Sequence, residues 1–144
     1  MTIIAYRDGI IAADTAVFGN DDVYVGDIIK IEKHRNGSLV GASGGSTLCR
    51  IYKEWFHAAE IHDEFKDSEE GFTGLIIQTD SRILKIHGPH KKFTTLDAPF
   101  IAIGAGKNLA TGAMAAGASA KEAVAIAIKY HGFCAGDITT LKLG

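Results

Sequence analysis

The sequence has only two cysteines, Cys49 and Cys134, too few for a disulfide framework, and free thiols are ordinary in a reducing compartment. It also lacks a basic excess. Lys and Arg number 15 against 17 Asp and Glu, for a net charge of −2 and a pI near 6.3, which argues against nucleic acid or an anionic membrane surface as a partner. No apolar run approaches the ~20 residues of a membrane span. The first residues carry no basic region, long apolar segment or cleavage site of a signal peptide, so the expected location is the cytoplasm. No internal repeat divides the chain. What the sequence does have is 47% hydrophobic content over 144 residues, enough for one domain, residues 1–144, with a core that needs neither disulfide nor metal. Its 17 glycines include clusters at Gly41, Gly44, Gly45 and at Gly104, Gly106, where apolar strands meet helical patterns.

The chain is organised around Thr2 to Asp14, TIIAYRDGIIAAD, an apolar hairpin ending on a carboxylate. A three-residue loop, Arg7-Asp8-Gly9, with Gly in the left-handed position, pairs Tyr6 with Ile10, Ile4 with Ala12 and Thr2 with Asp14. Hydroxyl and carboxylate then share a sheet face. A two-residue Asp8-Gly9 turn would put them on opposite faces.

Thr15 to Asp22 reads as a loop. Apolar runs Val23-Tyr24-Val25 and Ile28-Ile29-Lys30-Ile31 read as strands, and Arg35-Asn36-Gly37-Ser38 turns the chain into Leu39-Val40-Gly41-Ala42. Leu48, Ile51, Tyr52, Trp55, Phe56 and Ala59 repeat at helical spacing, with Ser46 or Thr47 available as N-cap. That helix fades across the polar stretch Asp63 to Gly71. Strands follow at Gly74 to Thr79, Ile83 to His87 and Pro99 to Ile103, then an Ala-rich helix, Leu109 to Ala116. Ser119-Ala120-Lys121-Glu122 is a capping box opening a helix to about Tyr130, and Ile138 to Leu143 closes the chain as a strand. Strands in runs with helices between them give the α+β class. Sheets apolar on both faces predict a four-layer αββα sandwich of two antiparallel sheets flanked by helices.

The chemistry these residues could support centres on Thr2. A threonine hydroxyl is a poor nucleophile at neutral pH, and a chain α-amine, pKa about 7.7–8.0, is a suitable base for it; Met1 must be gone for that. Lys30, within an apolar run, must snorkel outward or find a partner. Beside Thr2 its charge would favour an alkoxide-like transition state, with Asp14 keeping the ammonium charged and oriented. The backbone N–H of Gly44, before the first helix, could stabilise a tetrahedral oxyanion.

The hairpin ending Ala-Ala-Asp, the Thr exposed by loss of Met1, and Lys30-Ile31 followed by the Gly44-Gly45 turn into a helix together resemble the proteasome β-subunit family, including its bacterial relatives. The resemblance extends to Ala102-Ile103-Gly104-Ala105-Gly106 and the helices from Leu109 to Tyr130, covering nearly the whole chain, which is shorter than typical members between the first helix and the Gly74 strand. It implies the N-terminal-nucleophile hydrolase fold and a homo-oligomeric ring of six or seven subunits. It further implies threonine-type hydrolysis of peptides or unfolded protein by Thr2, Asp14, Lys30 and Gly44, with a possible ATP-dependent unfoldase as partner. The alternative it carries is a non-catalytic structural ring subunit. Three positions depart from the family pattern: Ala105 stands where a Ser is usual, and His131 and Cys134 stand near an amine-holding Asp and Ser, a place Asp137 takes if the alignment slips.

Other patterns lead nowhere. Gly104-Ala105-Gly106-Lys107 lacks the spacing of a phosphate loop, with Ile101 and Asn108 where Gly and Ser/Thr are needed. His57 and His62, five apart, do not share a helix face as metal ligands would, and no metal or cofactor is expected. Lys33-His34-Arg35 reads as surface, and Cys134 as a core thiol.

Overall fold

β1 (Ile3–Arg7) and β2 (Ile10–Ala13) form the opening hairpin. The computed structural model, which describes residues 1–144, places it at the centre of a four-stranded antiparallel sheet. Its turn corrects the expected loop. Asp8 and Gly9 both have positive φ, 50° and 80°, a two-residue turn whose twist matches that of the strands. The pairs are Ile4 with Ala13, Ala5 with Ala12, Tyr6 with Ile11 and Arg7 with Ile10. Asp is one of the few residues other than Gly that tolerates the left-handed conformation, so Asp-Gly satisfies both turn positions and no third residue is needed. Asp14 consequently lies across from Ile3, whose carbonyl accepts its N–H at 3.2 Å. By strand alternation, the side chains of Thr2 and Asp14 leave opposite faces.

β10 (Phe100–Gly104) flanks β1, and β11 (Thr139–Lys142) flanks β2. The second sheet holds β5 (Ile31–Lys33), β6 (Leu39–Ser43), β7 (Thr73–Ile77), β8 (Ile83–His87) and β9 (Thr94–Leu96) in chain order, antiparallel throughout. The helices are α1 (Ser46–Ala58), α2 (Lys107–Ala115) and α3 (Ala120–Tyr130). None is long and apolar enough to cross a membrane.

Period-two alternation in the hairpin determines the layers. Ile3, Ala5 and Ala12 face α2 and α3, packing with Ala110, Met114, Ala123, Val124 and Ala127; the small alanines on both sides let helices and sheet approach closely. The alternate residues Ile4, Tyr6, Ile11 and Ala13 meet Ile31, Leu39, Leu75, Ile77 and Ile83 of the second sheet. That sheet's far face, with Val40, Ile76 and Ile86, covers Tyr52 and Phe56 of α1. Each large side chain buried this way contributes about 1.5–3 kcal/mol. The result is the four-layer αββα sandwich, with two helices on one side and one on the other.

Helix α3 starts as read, Ser119 Oγ accepting the Glu122 N–H at 3.1 Å while Glu122 Oε1 accepts the Ser119 N–H at 2.9 Å. The start of α1 differs. Gly45 is its N-cap and no side chain caps it, because the turn at Gly44 takes the chain out of β6 so sharply that Ser46 is already helical.

The largest departure from expectation lies between the two sheets. β3 (Ala16–Phe18), in the stretch read as loop, pairs with β4 (Tyr24–Asp27) as a separate two-stranded arm; three residues are too few for a periodic signal. Ile28 to Lys30 belongs to no strand. In this stretch the usual burial is inverted, for Ile28 and Ile29 are 45% and 57% exposed while Lys30 is 6% exposed.

Candidate active site

Lys30 is buried because three oxygens meet its ammonium. Nζ donates to Asp14 Oδ1 at 3.0 Å, to the Ala16 carbonyl at 2.8 Å and to the Met1 carbonyl at 3.0 Å. Asp14 is fully buried, and its oxygens are all engaged: Oδ1 also accepts the Ile3 N–H at 3.1 Å, and Oδ2 accepts the Ala135 N–H at 3.2 Å. A buried ion pair of this kind persists only when its remaining polar atoms are satisfied. Here the hairpin backbone, the start of the arm and the loop before β11 satisfy them.

Asp14 and Lys30 are thus brought together, and both border the Met1–Thr2 peptide. The third acceptor of Lys30 is the carbonyl of that bond, so the ammonium lies one peptide unit from the Thr2 nitrogen. Thr2 is half-buried, its carbonyl accepting the Gly106 N–H at 3.3 Å. Asp14 sits on the helix-facing side and reaches the chain start through Lys30 and the Ile3 N–H, rather than by sharing a face with the Thr2 side chain.

Gly44 lies at the exposed mouth between β6 and α1. Its φ is +128°, and a Cβ there would come within 3.0 Å of the Gly71 carbonyl, so close approach of residues 71–72 as well as backbone conformation requires glycine. Its N–H has no backbone acceptor within the chain. No contact joins it to Lys30, whose three bonds all go elsewhere.

Of the departing positions, Ala105 is exposed between Gly104 and Gly106, which both approach the Thr2 carbonyl, and Cys134 is the buried one. It is buried in the cluster with Ile3 and Ala127, and its sulfur lies 3.0 Å from where a Gly106 Cβ would stand. Burial first, then the negative charge of Asp14, push its thiol up to about 11, which leaves it protonated and a poor nucleophile at neutral pH. His131 caps α3, its N–H donating to the Ala127 carbonyl at 2.8 Å, and Asp137 contributes its N–H to Thr15 Oγ1 at 3.0 Å. The residue that brackets Asp14 from this loop is Ala135, whose carbonyl also accepts the N–H groups of Thr15 and Ala16 at 3.3 and 3.1 Å. Backbone groups leave no mark in a sequence, so Ala135 carried no signal. No group of three or more His, Cys, Asp or Glu side chains is placed to hold a metal ion.

No protein-family profile and no curated protein matches this sequence. Solved structures do. Thiobacillus denitrificans BPH in complex with epoxomicin superposes with a TM-score of 0.70 at 20% identity over 99% of this chain and 98% of that one, and BPH itself gives 0.70 at 21% over the same shares. HslV from Trypanosoma brucei gives 0.63 at 16% identity, covering 98% of each chain. Nearly end to end, this chain has the N-terminal-nucleophile hydrolase fold of HslV and BPH.

Proposed function

We propose that the chain is a proteasome-type threonine peptidase, a single 1–144 domain acting in the cytoplasm as a subunit of a homo-oligomeric ring of six or seven, with Thr2 as nucleophile once Met1 is removed. The observation that carries the reading is the buried Lys30–Asp14 pair at the Met1–Thr2 peptide. Loss of Met1 takes one acceptor from Lys30 and leaves an ammonium N–H next to the new α-amine and the Thr2 hydroxyl. The amine accepts the hydroxyl proton as Oγ1 attacks a substrate carbonyl, and Lys30 stabilises the developing negative charge on Oγ1. Asp14 holds the Lys30 ammonium in place. The free Gly44 N–H donates to the tetrahedral oxyanion, and the amine returns its proton to the leaving group. Peptides or unfolded protein are the substrates this reading implies, with an ATP-dependent unfoldase as a possible feeder.

A non-catalytic ring subunit is the second reading, and one observation favours it. The loop beside the N-terminus offers the buried, protonated Cys134 thiol and the backbone of Ala135, where the resemblance implies carboxylate and hydroxyl side chains that hold the amine. The two readings separate in one experiment. Chain beginning at Thr2, verified by intact mass, is incubated with epoxomicin, the molecule bound to the similar BPH. The peptidase reading expects one inhibitor mass added at Thr2 and hydrolysis of fluorogenic peptides; an assembled ring with neither is the structural subunit.

A further inference from the structure

Lys30 stands on a stretch with no regular structure, Ile28 to Lys30, whose other side chains face solvent. Something other than core packing must fix where its ammonium lies. The polar atoms next to it supply a candidate that the roles of Thr2, Asp14, Lys30 and Gly44 do not use. Thr15, 5% exposed, donates its hydroxyl to Asp27 Oδ1 at 2.7 Å and accepts the Asp137 N–H at 3.0 Å on the same oxygen. The Thr15 carbonyl accepts the Ile28 N–H at 2.8 Å. Asp27 takes a second hydrogen bond on Oδ2, from the Tyr24 hydroxyl.

One small knot thus ties three segments: the residues after β2 that carry Asp14, the residues after β4 that lead to Lys30, and the loop before β11 that brackets Asp14. Gly136 makes the knot possible. Its φ is +88°, and a Cβ there would fall 2.3 Å from Thr15 Oγ1 and 2.8 Å from Asp27 Oδ1. The Tyr24 hydroxyl, then the Thr15 hydroxyl, hold the Asp27 carboxyl below the usual carboxylate range, and the Lys30 charge adds to this; the carboxylate is therefore a second negative group in the field of that ammonium.

We propose that Thr15 and Asp27 are positioning residues for Lys30, a clamp that sets the path of residues 27–30 so that the Lys30 ammonium is held on Asp14 and the chain start. The clamp touches neither substrate nor nucleophile. It rests on the peptidase reading for its purpose, but its geometry is measurable without activity. Asp27 is exposed and valine fills the volume of threonine, so Asp27→Ala and Thr15→Val remove the clamp without opening the core.

Two readouts test it. The first is reductive methylation of the folded protein, followed by mass spectrometry of each lysine. Wild-type Lys30 should stay unmodified while the exposed Lys121 reacts. In Asp27→Ala and Thr15→Val, Lys30 should react at least about tenfold faster, well below each variant's melting temperature, an effect of the order of one lost charge-assisted hydrogen bond; Thr15→Ser, which keeps the hydroxyl, should protect it like wild type. The second is the rate of epoxomicin addition at Thr2, expected to fall about tenfold in the same two variants, while either one combined with Lys30→Ala should fall no lower than Lys30→Ala alone. A clamp that matters only for overall stability would leave Lys30 protected at low temperature and would add its effect to that of Lys30→Ala. Lys30 as protected in both variants as in wild type overturns the proposal. Absence of any addition to the wild type removes the peptidase reading, and the methylation result still decides the clamp.

Discussion

The opening hairpin and the stretch from Val23 to Lys30 have similar composition and opposite architecture. In the hairpin, Ile3, Ile4 and Ile11 are fully buried and strand alternation decides which layer each one joins. In the second stretch Val23, Tyr24, Val25, Ile28 and Ile29 are 45–64% exposed, and the one charged residue at its end is 6% exposed. Hydrophobic burial accounts for the first region alone. The second is arranged around a polar site, where three oxygens offset the cost of desolvating an ammonium. In a ring such as the one proposed above, these uncovered apolar side chains would be available for contacts between subunits.

The sharpest way to break this comparison is Asp14→Ala. If polar partners hold the second region, an unpaired buried ammonium should cost about 3–5 kcal/mol, read as a fall in urea-unfolding free energy; a loss below one kcal/mol would mean that Lys30 reaches water. Ile11→Ala, in the hairpin, should cost about 2–5 kcal/mol by ordinary cavity formation, and the same unfolding curve checks it. Gly44→Ala forces a side chain against residues 71–72 and should cost about 1–3 kcal/mol, with peptide hydrolysis reduced through displacement of the N–H. Unchanged stability there would show that the turn relaxes freely. Ile29→Ser should change protomer stability by about 0.5 kcal/mol at most while weakening assembly by light scattering, and a large stability loss would place Ile29 in a core.

A further effect is one of pH. Because the folded state raises the Cys134 thiol from about 9 to about 11, the folded chain holds that proton more tightly than the unfolded one. The stability this contributes is complete below pH 9 and is lost as pH rises through about 11. The melting-temperature gap between wild type and Cys134→Ala should therefore narrow over that interval, and a constant gap would mean that the thiol is not shielded.

The layers were legible because alternation and helical spacing are long-range patterns: the Ser119 capping box, the aromatic face of α1 and the apolar strands of the two large sheets stand where the residues indicate, whereas the run Ile28 to Lys30 forms no strand. The pairing of Lys30 with Asp14 was legible for a chemical reason, since a lysine in Ile-Ile-Lys-Ile needs a partner and a carboxylate ends the hairpin. The hairpin register was not. Asp8 could serve as a turn residue or as part of a longer loop, and only the geometry of both positive φ angles decides. Of the arm, the Val23 to Val25 run reads as a strand but β3 was missed, because three residues carry no period; the clamp was missed because Thr15 meets Asp27 and the Asp137 backbone only through tertiary contacts, 12 and 122 residues apart.

Whether Lys30 acts at Thr2 or merely fills the interior is tested most directly by Lys30→Arg. Arginine keeps the charge but carries a wide planar fork that cannot sit among Asp14, Ala16 and the chain start as an ammonium does. With both chains beginning at Thr2 and both assembled, epoxomicin addition followed by intact mass should show modification of the wild type and loss of about a hundredfold or more in rate for the variant. Equal rates of addition in the two chains would contradict a catalytic role for Lys30.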